Sequence, residues 1–175
     1  IQQTRFNPWQ TLFPASSSTF LFDSYSRTQI QKEMIHFQQA WEQKSFKIAL
    51  DYLTKILGLG IGLTPTGDDF ITGLLASFSA LQQLPSNFQQ LAVLAKERTN
   101  AVSYAEIHEA VNGRFSQLVQ RVFLSIESGN TNEMAQAVSA LEEVGSTSGS
   151  DILCGIIFGL KLFCEENNHD NSNSN

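Results

Sequence analysis

Cysteine is scarce in this chain of 175 residues, which contains only Cys154 and Cys164. The two lie ten residues apart within one predicted helix, so they cannot form a disulfide inside it, and the chain has no Cys-x-x-Cys spacing. This argues against a disulfide-stapled secreted domain and favours reduced thiols. The sequence therefore predicts a cytoplasmic protein.

Basic residues are also few. The chain has 11 Lys and Arg against 17 Asp and Glu, a net charge of -6, and no Lys or Arg between Lys55 and Lys96. This excess of acid argues against nucleic acid as a partner. No apolar run is long enough to span a bilayer, so no membrane partner is expected. From Ile1 onward there is no basic, apolar leader pattern, so no export is expected.

The densest pattern that is present covers residues 58–73, which read Gly-Leu-Gly-Ile-Gly-Leu-Thr-Pro-Thr-Gly-Asp-Asp-Phe-Ile-Thr-Gly. Thr66 is a favoured N-cap residue, and Asp69 follows three positions later, as the acid does in a capping box. The pattern predicts a helix from Gly67 to about Gln83. Its residues are apolar on nearly every side, which is typical of a buried helix.

The same pattern returns near the C-terminus, where residues 148–157 align without a gap on residues 66–75. Each copy then carries two small residues four positions apart: Gly73 with Ser77, and Gly155 with Gly159. Small residues at this spacing share one helix face and allow two helices to approach closely. The sequence thus predicts an internal duplication whose two helices cross, with Asp69 and Asp151 on the same side of the molecule.

The paired motifs, residues 62–73 and 145–155, resemble a bacterial family long described as of unknown function. That AllH-like family is associated with a subunit of oxamate carbamoyltransferase in allantoin degradation. The resemblance covers about residues 50–163. It implies a soluble, mostly helical protein of purine-nitrogen catabolism that works with partner subunits. Family members are longer at the N-terminus, so the resemblance also implies that this chain is a C-terminal portion.

The rest of the chain predicts helices and almost no strands. One short strand is expected at residues 19–22, and a break in the fifth predicted helix is expected at Asn112-Gly113. Helices are expected from Ser26 or Thr28 to Gln43, then over residues 45–57, 67–83, 85–98, 103–128, 132–144 and 149–165. Ser103 and Glu106 form the capping box of the fifth of these helices.

These segments predict an all-α fold, a helical bundle with two related central helices, each preceded by a loop rich in Gly, Ser and Thr. Residues 1–166 are expected to form a single helical domain, because 42% of the residues are hydrophobic and can supply one core. The low-complexity residues 167–175 are expected to be a disordered tail.

Two interpretations fit the acids of the motifs. Asp69 and Asp151 are suited simply to stabilise helix N-termini. Alternatively Asp68, Asp69 and Asp151 bind a cation, because adjacent carboxylates at a buried helix end are costly unless something satisfies both. The hydroxyls of Thr64, Thr66 and Ser148 would complete an all-oxygen ligand set of the kind that Mg²⁺ accepts.

The loops also predict a substrate site. The pattern Gly-x-Gly-x-Gly before a helix is weak as a phosphate motif, because no strand precedes it and Asp68 replaces the P-loop lysine. The candidate catalytic residues are Asp68, Asp69 and His108. The candidate substrate-binding residues are Gly62, Thr64, Thr66, Gly67, Thr147, Ser148, Gly149, Ser150 and Arg98, with Arg114 as a further cation that could fold over the loop.

Three functions follow from these features. The resemblance implies carbamoyl transfer between oxamate and phosphate, at a site shared with other subunits. The chain has no evident nucleophile, which suits a reaction driven by positioning and electrostatics. The alternatives are a non-catalytic assembly or regulatory module, in which the repeated motif is only a packing device, and a metal-dependent hydrolase.

Overall fold

The computed structural model describes the backbone of residues 21–172 and the side chains of residues 25–165. Every regular element in this part of the chain is helical, which confirms the all-α prediction. A 3₁₀ turn, Ser86–Gln89, precedes the fourth α-helix. The α-helices are α1 (Leu21–Glu42), α2 (Phe46–Ile56), α3 (Thr66–Ala80), α4 (Gln90–Arg98), α5 (Ala101–Ala110), α6 (Gln117–Ser128), α7 (Thr131–Glu142) and α8 (Ser148–Ser172).

The centre of the bundle is a close, parallel crossing of α3 and α8. A Cβ atom on Gly73 would overlap the carbonyl oxygen of Ile152 and lie 3.0 Å from the backbone nitrogen of Ile156. A Cβ on Gly155 would overlap the carbonyl oxygen of Phe70 and lie 2.8 Å from the nitrogen of Leu74. The two contacts are reciprocal. The close crossing predicted from the small-residue spacing is therefore present, and glycine is required on both helices.

Side chains reinforce the crossing one turn further along. The Ser77 hydroxyl is fully buried and donates to the carbonyl oxygen of Ile156 at 2.8 Å. Gly159 lies directly over Ser77, because a Cβ added there would be 2.6 Å from the Ser77 Cβ. The hydroxyl thus bridges the two helices where their backbones begin to separate.

The segments that lead into α3 and α8 have matching contacts. The Gly67 N–H donates to the Leu59 carbonyl at 2.8 Å, and the Gly149 N–H donates to the Val144 carbonyl at 3.0 Å. Both glycines also pack against the end of the preceding helix. A Cβ on Gly67 would overlap the carbonyl oxygen of Ile56, and a Cβ on Gly149 would overlap that of Leu141. The loop before α3, residues 57–65, is four residues longer than the loop before α8, residues 143–147, and it carries Gly58, Gly60 and Gly62 of the first motif.

An aromatic cluster fills the core between α1, α3 and α8. The Trp41 and Phe78 rings stack with centroids 4.5 Å apart, and Phe163 meets both rings edge-on. Phe37 and Phe88 complete the cluster, and both are fully buried. Burial of this much aromatic surface is a large hydrophobic contribution, and it anchors the middle of the central pair.

Several predicted helix ends are wrong. Helix α1 begins at Leu21, so Ser26 and Thr28 lie inside it, and Leu21 and Phe22 of the expected strand are helical. The other two residues of that strand lie outside the described part. Helix α8 continues to Ser172, because no Gly or Pro follows Gly159 to end it. Residues 167–172 are therefore helical rather than part of a tail.

Two predicted caps are also wrong. Helix α3 begins at Thr66 with Pro65 in the cap position, so the Thr66 hydroxyl does not cap the helix and the acids lie one position further in. Helix α5 begins at Ala101, where the Asn100 side chain accepts from the N–H groups of Val102 and Ser103. The predicted break after it, at Asn112-Gly113, is present, because α5 ends at Ala110 and α6 begins at Gln117.

No helix in the described part of the chain has the length and hydropathy needed to cross a membrane.

The helix crossing gives the first testable prediction. Replacing Gly155 with Leu should lower the free energy of unfolding by about 1–3 kcal/mol or more, because the new side chain must displace backbone atoms of α3. The matched control is Ala135→Leu, which adds a side chain at an exposed position of α7. Urea denaturation of both variants checks the prediction, and equal stability of the two would contradict it.

Candidate functional site

The parallel crossing brings the starts of α3 and α8 together at one end of the bundle. The hydroxyl oxygens of Thr64, just before α3, and Ser148, the first residue of α8, lie 2.7 Å apart and share a hydrogen bond. The two motifs, 84 residues apart in the chain, therefore meet. Asp68 and Asp69 from α3 and Asp151 from α8 lie in the first turns next to this hydroxyl pair.

Both carboxyl oxygens of Asp68 accept hydrogen bonds from other parts of the protein. Its Oδ1 accepts from the Gly58 N–H at 2.8 Å, and its Oδ2 accepts from the Thr99 hydroxyl. Burial raises the pKa of this carboxyl, and the hydrogen bonds from Gly58, Thr99 and Ser103 act against the increase. Asp68 thus holds the glycine-containing loop against the junction of α4 and α5, which is a structural role.

Glycine is required at the point where Asp68 holds the loop. Gly58 has a φ of 72°, and a Cβ on it would overlap the carbonyl oxygen of Arg98. Both the positive φ and the close approach exclude larger residues. The first glycine of the motif therefore has a packing role, whereas Gly62, with a φ of 97°, has no neighbouring atom within 4 Å of its Cβ position.

Asp69 has a very different environment from Asp68. It is 1% exposed, and the Ser148 and Thr64 hydroxyls lie near its carboxyl. These hydroxyls bond to each other, and no described residue gives either Asp69 oxygen a hydrogen bond of good geometry. Burial raises the pKa of Asp69 to about 7; the Ser148 and Thr64 hydroxyls lower it, and the charges of Asp151 and Glu106 raise it further. A buried carboxyl without hydrogen bonds is unfavourable for folding alone.

Asp151 occupies the equivalent place on α8. Its Oδ1 lies 3.4 Å from the Arg27 guanidinium, which α1 brings across the bundle. The neighbouring Cys154 is buried, and burial together with the charge of Asp151 raises the pKa of its thiol, which Arg27 only partly counteracts. A thiol with a raised pKa is a poor nucleophile, so Cys154 is not a candidate for covalent catalysis.

His108 and Arg98 are not brought to these carboxylates. The His108 side chain is 46% exposed on α5, and its Nδ1 lies 3.3 Å from Glu109. The Arg98 guanidinium donates to the carbonyl oxygen of Thr54 in α2 at 2.9 Å. Arg114 forms an exposed ion pair with Glu109 and does not cover the loop.

The remaining predicted substrate-binding residues surround the hydroxyl pair but are mostly packed. Thr66 and Gly67 are buried in the first turn of α3, and Gly149 is buried against the end of α7. The Thr147 carbonyl accepts from the Asp151 N–H at 2.9 Å, and Ser150 is half-buried. The hydroxyls of Thr64 and Ser148 are thus the predicted substrate-binding side chains nearest to Asp69.

The sequence did not identify two further polar residues beside the site. Glu106 was interpreted as half of a capping box, but it lies on α5 facing the acids, where partial burial and the charge of Asp68 raise its pKa. Thr72, one turn beyond Asp69 on α3, has a buried hydroxyl with no hydrogen bond to any described residue. The one sequence signal for Thr72 is its position three residues after Asp69, which places both side chains on the same helix face.

The carboxylates predicted to bind Mg²⁺ have other partners in the fold. Asp68 uses both oxygens within the protein, and one oxygen of Asp151 faces Arg27. Among the side chains that the structure describes, no three His, Cys, Asp or Glu residues are arranged to hold a metal ion together. The three carboxylates thus do not form one shared ligand set in this arrangement, and bound Mg²⁺ stays a prediction of the sequence.

A cleft of about 570 Å³ opens beside the acids. Helices α5 and α6, the segment between them and the start of α8 form its walls. The residues that line it are Thr72, Ala105, Glu106, Glu109, Arg114, Phe115, Ser116, Leu118, Val119, Leu141, Val144 and Ile152. This volume lies within the range of small-molecule sites.

The pKa of Asp69 predicts how stability depends on pH. Its pKa is 3.8 without the protein environment and about 7 in the fold, so the folded state binds more protons between these values. The stability that protonated Asp69 contributes is fully present below about pH 4 and is lost as the pH rises through 7. Replacing Asp69 with Asn should therefore raise the unfolding free energy relative to wild type by about 2–3 kcal/mol more at pH 8 than at pH 5.

Urea denaturation at both pH values checks this prediction. Asp51→Asn on the exposed face of α2 removes the same charge and should leave the pH profile close to that of wild type. If Asp69→Asn also follows the wild-type profile, the carboxyl is not titrating near neutral pH.

One family model matches the chain, and its description is oxamate carbamoyltransferase subunit AllH. The match covers residues 56–160, more than half of the chain, and includes the longer loop, all of α3 and the first half of α8. No solved structure matches the chain. On the strength of the family match, which contains every carboxylate of the site, the chain belongs to the family of oxamate carbamoyltransferase subunit AllH.

Proposed function

We propose that this chain is a subunit of an oxamate carbamoyltransferase and that it contributes a substrate site at the N-terminal ends of α3 and α8. The observation that carries the proposal is Asp69, whose two buried oxygens accept no hydrogen bond of good geometry from the described residues, although the Ser148 and Thr64 hydroxyls lie nearby. Packing accounts for Gly58, Gly67 and Gly73, and hydrogen bonds account for Asp68. Among the described carboxyls of the two motifs, Asp69 is the one with both oxygens left without such a contact, and ligand binding would supply one.

Carbamoyl transfer to oxamate gives Asp69 a chemical role. The amide nitrogen of oxamate forms a bond to the carbonyl carbon of carbamoyl phosphate, the bond from that carbon to the phosphate oxygen breaks, and phosphate leaves. The amide nitrogen must also lose a proton. A carboxylate with a pKa of about 7 is suited to accept it near neutral pH, because its basicity matches the working pH.

The other groups of the site fit a reaction on an amide. Thr64 and Ser148 present hydroxyls that are both donors and acceptors, so they can bind a carbonyl oxygen or an N–H group. The N-termini of α3 and α8 also face the same place, and the positive end of each helix dipole favours negative charge that develops on a carbonyl oxygen. No step of this proposal requires a metal ion.

A partner subunit would complete the site. The tip of the loop before α3 exposes two apolar side chains, Ile61 at 56% and Leu63 at 73%, and Val102 on α5 is also exposed. The Leu63 carbonyl accepts from the Ser103 hydroxyl at 3.3 Å, so this apolar tip lies beside the acids. The family is that of a subunit, and we propose that another subunit of the same enzyme covers the tip.

This proposal includes the finer expectations from the sequence. The matching contacts before α3 and α8 support an internal duplication, in which the longer loop of the first copy became part of the site. A role in purine-nitrogen catabolism and a cytoplasmic location also belong to the proposal. The assembly-module alternative explains the glycines and Asp68 equally well, and Asp69 is the residue that separates the two functions.

Replacing Asp69 with Asn tests the catalytic role. The change keeps the shape of the side chain but removes the base, so kcat/KM for carbamoyl transfer should fall by about 10²–10⁴ while the protein remains folded. The assay uses the chain with its partner subunits, oxamate and carbamoyl phosphate. Asp51→Asn is the control and should keep wild-type activity, because Asp51 is exposed on α2.

Asp68→Asn tests the structural role of Asp68. Asn retains the acceptor for the Gly58 N–H but weakens the contact with Thr99, so the melting temperature should fall. The proposal for Asp69 is contradicted if Asp69→Asn keeps the wild-type kcat/KM. Asp69 would then have only a structural role, and the assembly module would be favoured.

A second experiment tests the partner surface. Leu63→Asp places a charge on the exposed loop tip, so the melting temperature of the isolated chain should not change, but binding to the partner subunits should weaken by tenfold or more, about the effect of 1.4 kcal/mol. The control is Val93→Asp on α4, a residue that is 68% exposed. Equal partner binding by the two variants, measured by calorimetry, would show that the loop tip is not covered.

A further inference from the structure

We propose that the cleft beside α5 is the passage by which the amide substrate reaches Asp69, and that Thr72 binds the amide group there. This inference rests on the proposed function and adds the route and one substrate-binding residue. It predicts a ligand class, small amides and N-carbamoyl amides, for a cleft to which no function has been assigned.

The inner wall of the cleft is next to the carboxylates. Thr72 and Ile152 both line it. Thr72 lies three residues after Asp69, so the two side chains are neighbours on one face of α3. Ile152 directly follows Asp151 on α8. Glu106 lines the cleft from α5, and its charge acts on Asp69. A ligand that enters the cleft as far as Thr72 therefore lies within one helical turn of Asp69.

Thr72 itself indicates the ligand. It is 9% exposed, and its Oγ1 is buried without a hydrogen bond to any described residue. A buried hydroxyl usually binds the i-4 carbonyl or a neighbouring polar group, because leaving it unsatisfied is unfavourable. A hydroxyl donates one hydrogen bond and accepts others, and both parts of an amide, its C=O and its N–H, can pair with it.

The walls of the cleft favour the amide over free phosphate. Phe115, Val119 and Leu141 provide apolar surface that excludes water, as is typical of small-molecule sites. Arg114 is the one basic residue among the described residues that line the cleft, and Glu109 already holds its guanidinium through two contacts. Glu106 and Glu109 would repel a phosphate dianion, so the neutral amide end of the substrate is the part that fits.

Blocking the cleft tests the passage. Ala105 is exposed on α5 and lines the cleft, so Ala105→Trp should fill part of it without disturbing the core. We expect the KM for oxamate to rise at least tenfold, with an unchanged melting temperature. The matched control is Ala135→Trp, at an exposed position of α7 that does not line the cleft, and it should keep the wild-type KM.

Thr72→Val tests the hydrogen bond separately. The replacement keeps the shape but removes the hydroxyl, so the Kd for oxamate should rise about tenfold while the melting temperature stays equal or increases. Thr72→Ser keeps the hydroxyl and should restore most of the affinity. If Thr72 has only a structural role, Thr72→Val should lower the melting temperature and leave the Kd for oxamate as in wild type.

The variants distinguish failure of the passage from failure of the function. If Asp69→Asn loses turnover but Ala105→Trp and Thr72→Val both bind oxamate like wild type, the enzyme function stands and the passage is wrong. If the cleft variants weaken oxamate binding while Asp69→Asn keeps full turnover, the amide site stands and Asp69 is not the base. If the wild-type chain with its partner subunits binds no oxamate, both proposals fail.

Discussion

The backbone contact between α3 and α8 determines where everything else in this molecule lies. Gly73 and Gly155 allow each helix to pack against the carbonyl groups of the other, and the contact is reciprocal. Because the helices run parallel, such a close crossing brings both N-termini to the same end of the bundle. The polar residues of the two motifs then meet as a consequence of packing. A wider crossing would separate the Thr64 and Ser148 hydroxyls, which now share a hydrogen bond.

The same close crossing brings buried carboxyl groups together, and the fold stabilises some of them better than others. Three carboxyls lie at this end of the bundle, and their burial is unfavourable in the charged form. Asp68 is stabilised by the Gly58 N–H and the Thr99 hydroxyl, and Asp151 faces the Arg27 guanidinium. Among the described residues only the Ser148 and Thr64 hydroxyls approach Asp69, without a hydrogen bond of good geometry, and burial raises the pKa of Asp69 to about 7. Asp69 and Asp151 lie at the same position from the starts of α3 and α8. They have different roles because their neighbours come from different helices.

The gapless match between residues 66–75 and 148–157 was enough to predict the helix crossing and the meeting of the two loops. Those features depend on local spacing, which a sequence records directly. The roles of Glu106 and Thr72 could not be predicted in this way, since they depend on where α5 lies against α3. Ser103 and Glu106 have the spacing of a capping box, but Asn100, three residues earlier, caps α5 and turns Ser103 into a buried interior residue. Competing capping signals of this kind are resolved only by tertiary packing.

The unequal lengths of the two loops have a consequence for binding stoichiometry. The short loop before α8 only turns the chain from Val144 into Gly149, whereas the loop before α3, four residues longer, exposes Ile61 and Leu63. Two similar helix starts therefore do not make two equivalent sites. On the function proposed above, α3 and α8 form one site together, so each chain would hold one substrate molecule and a titration should saturate at a molar ratio of one.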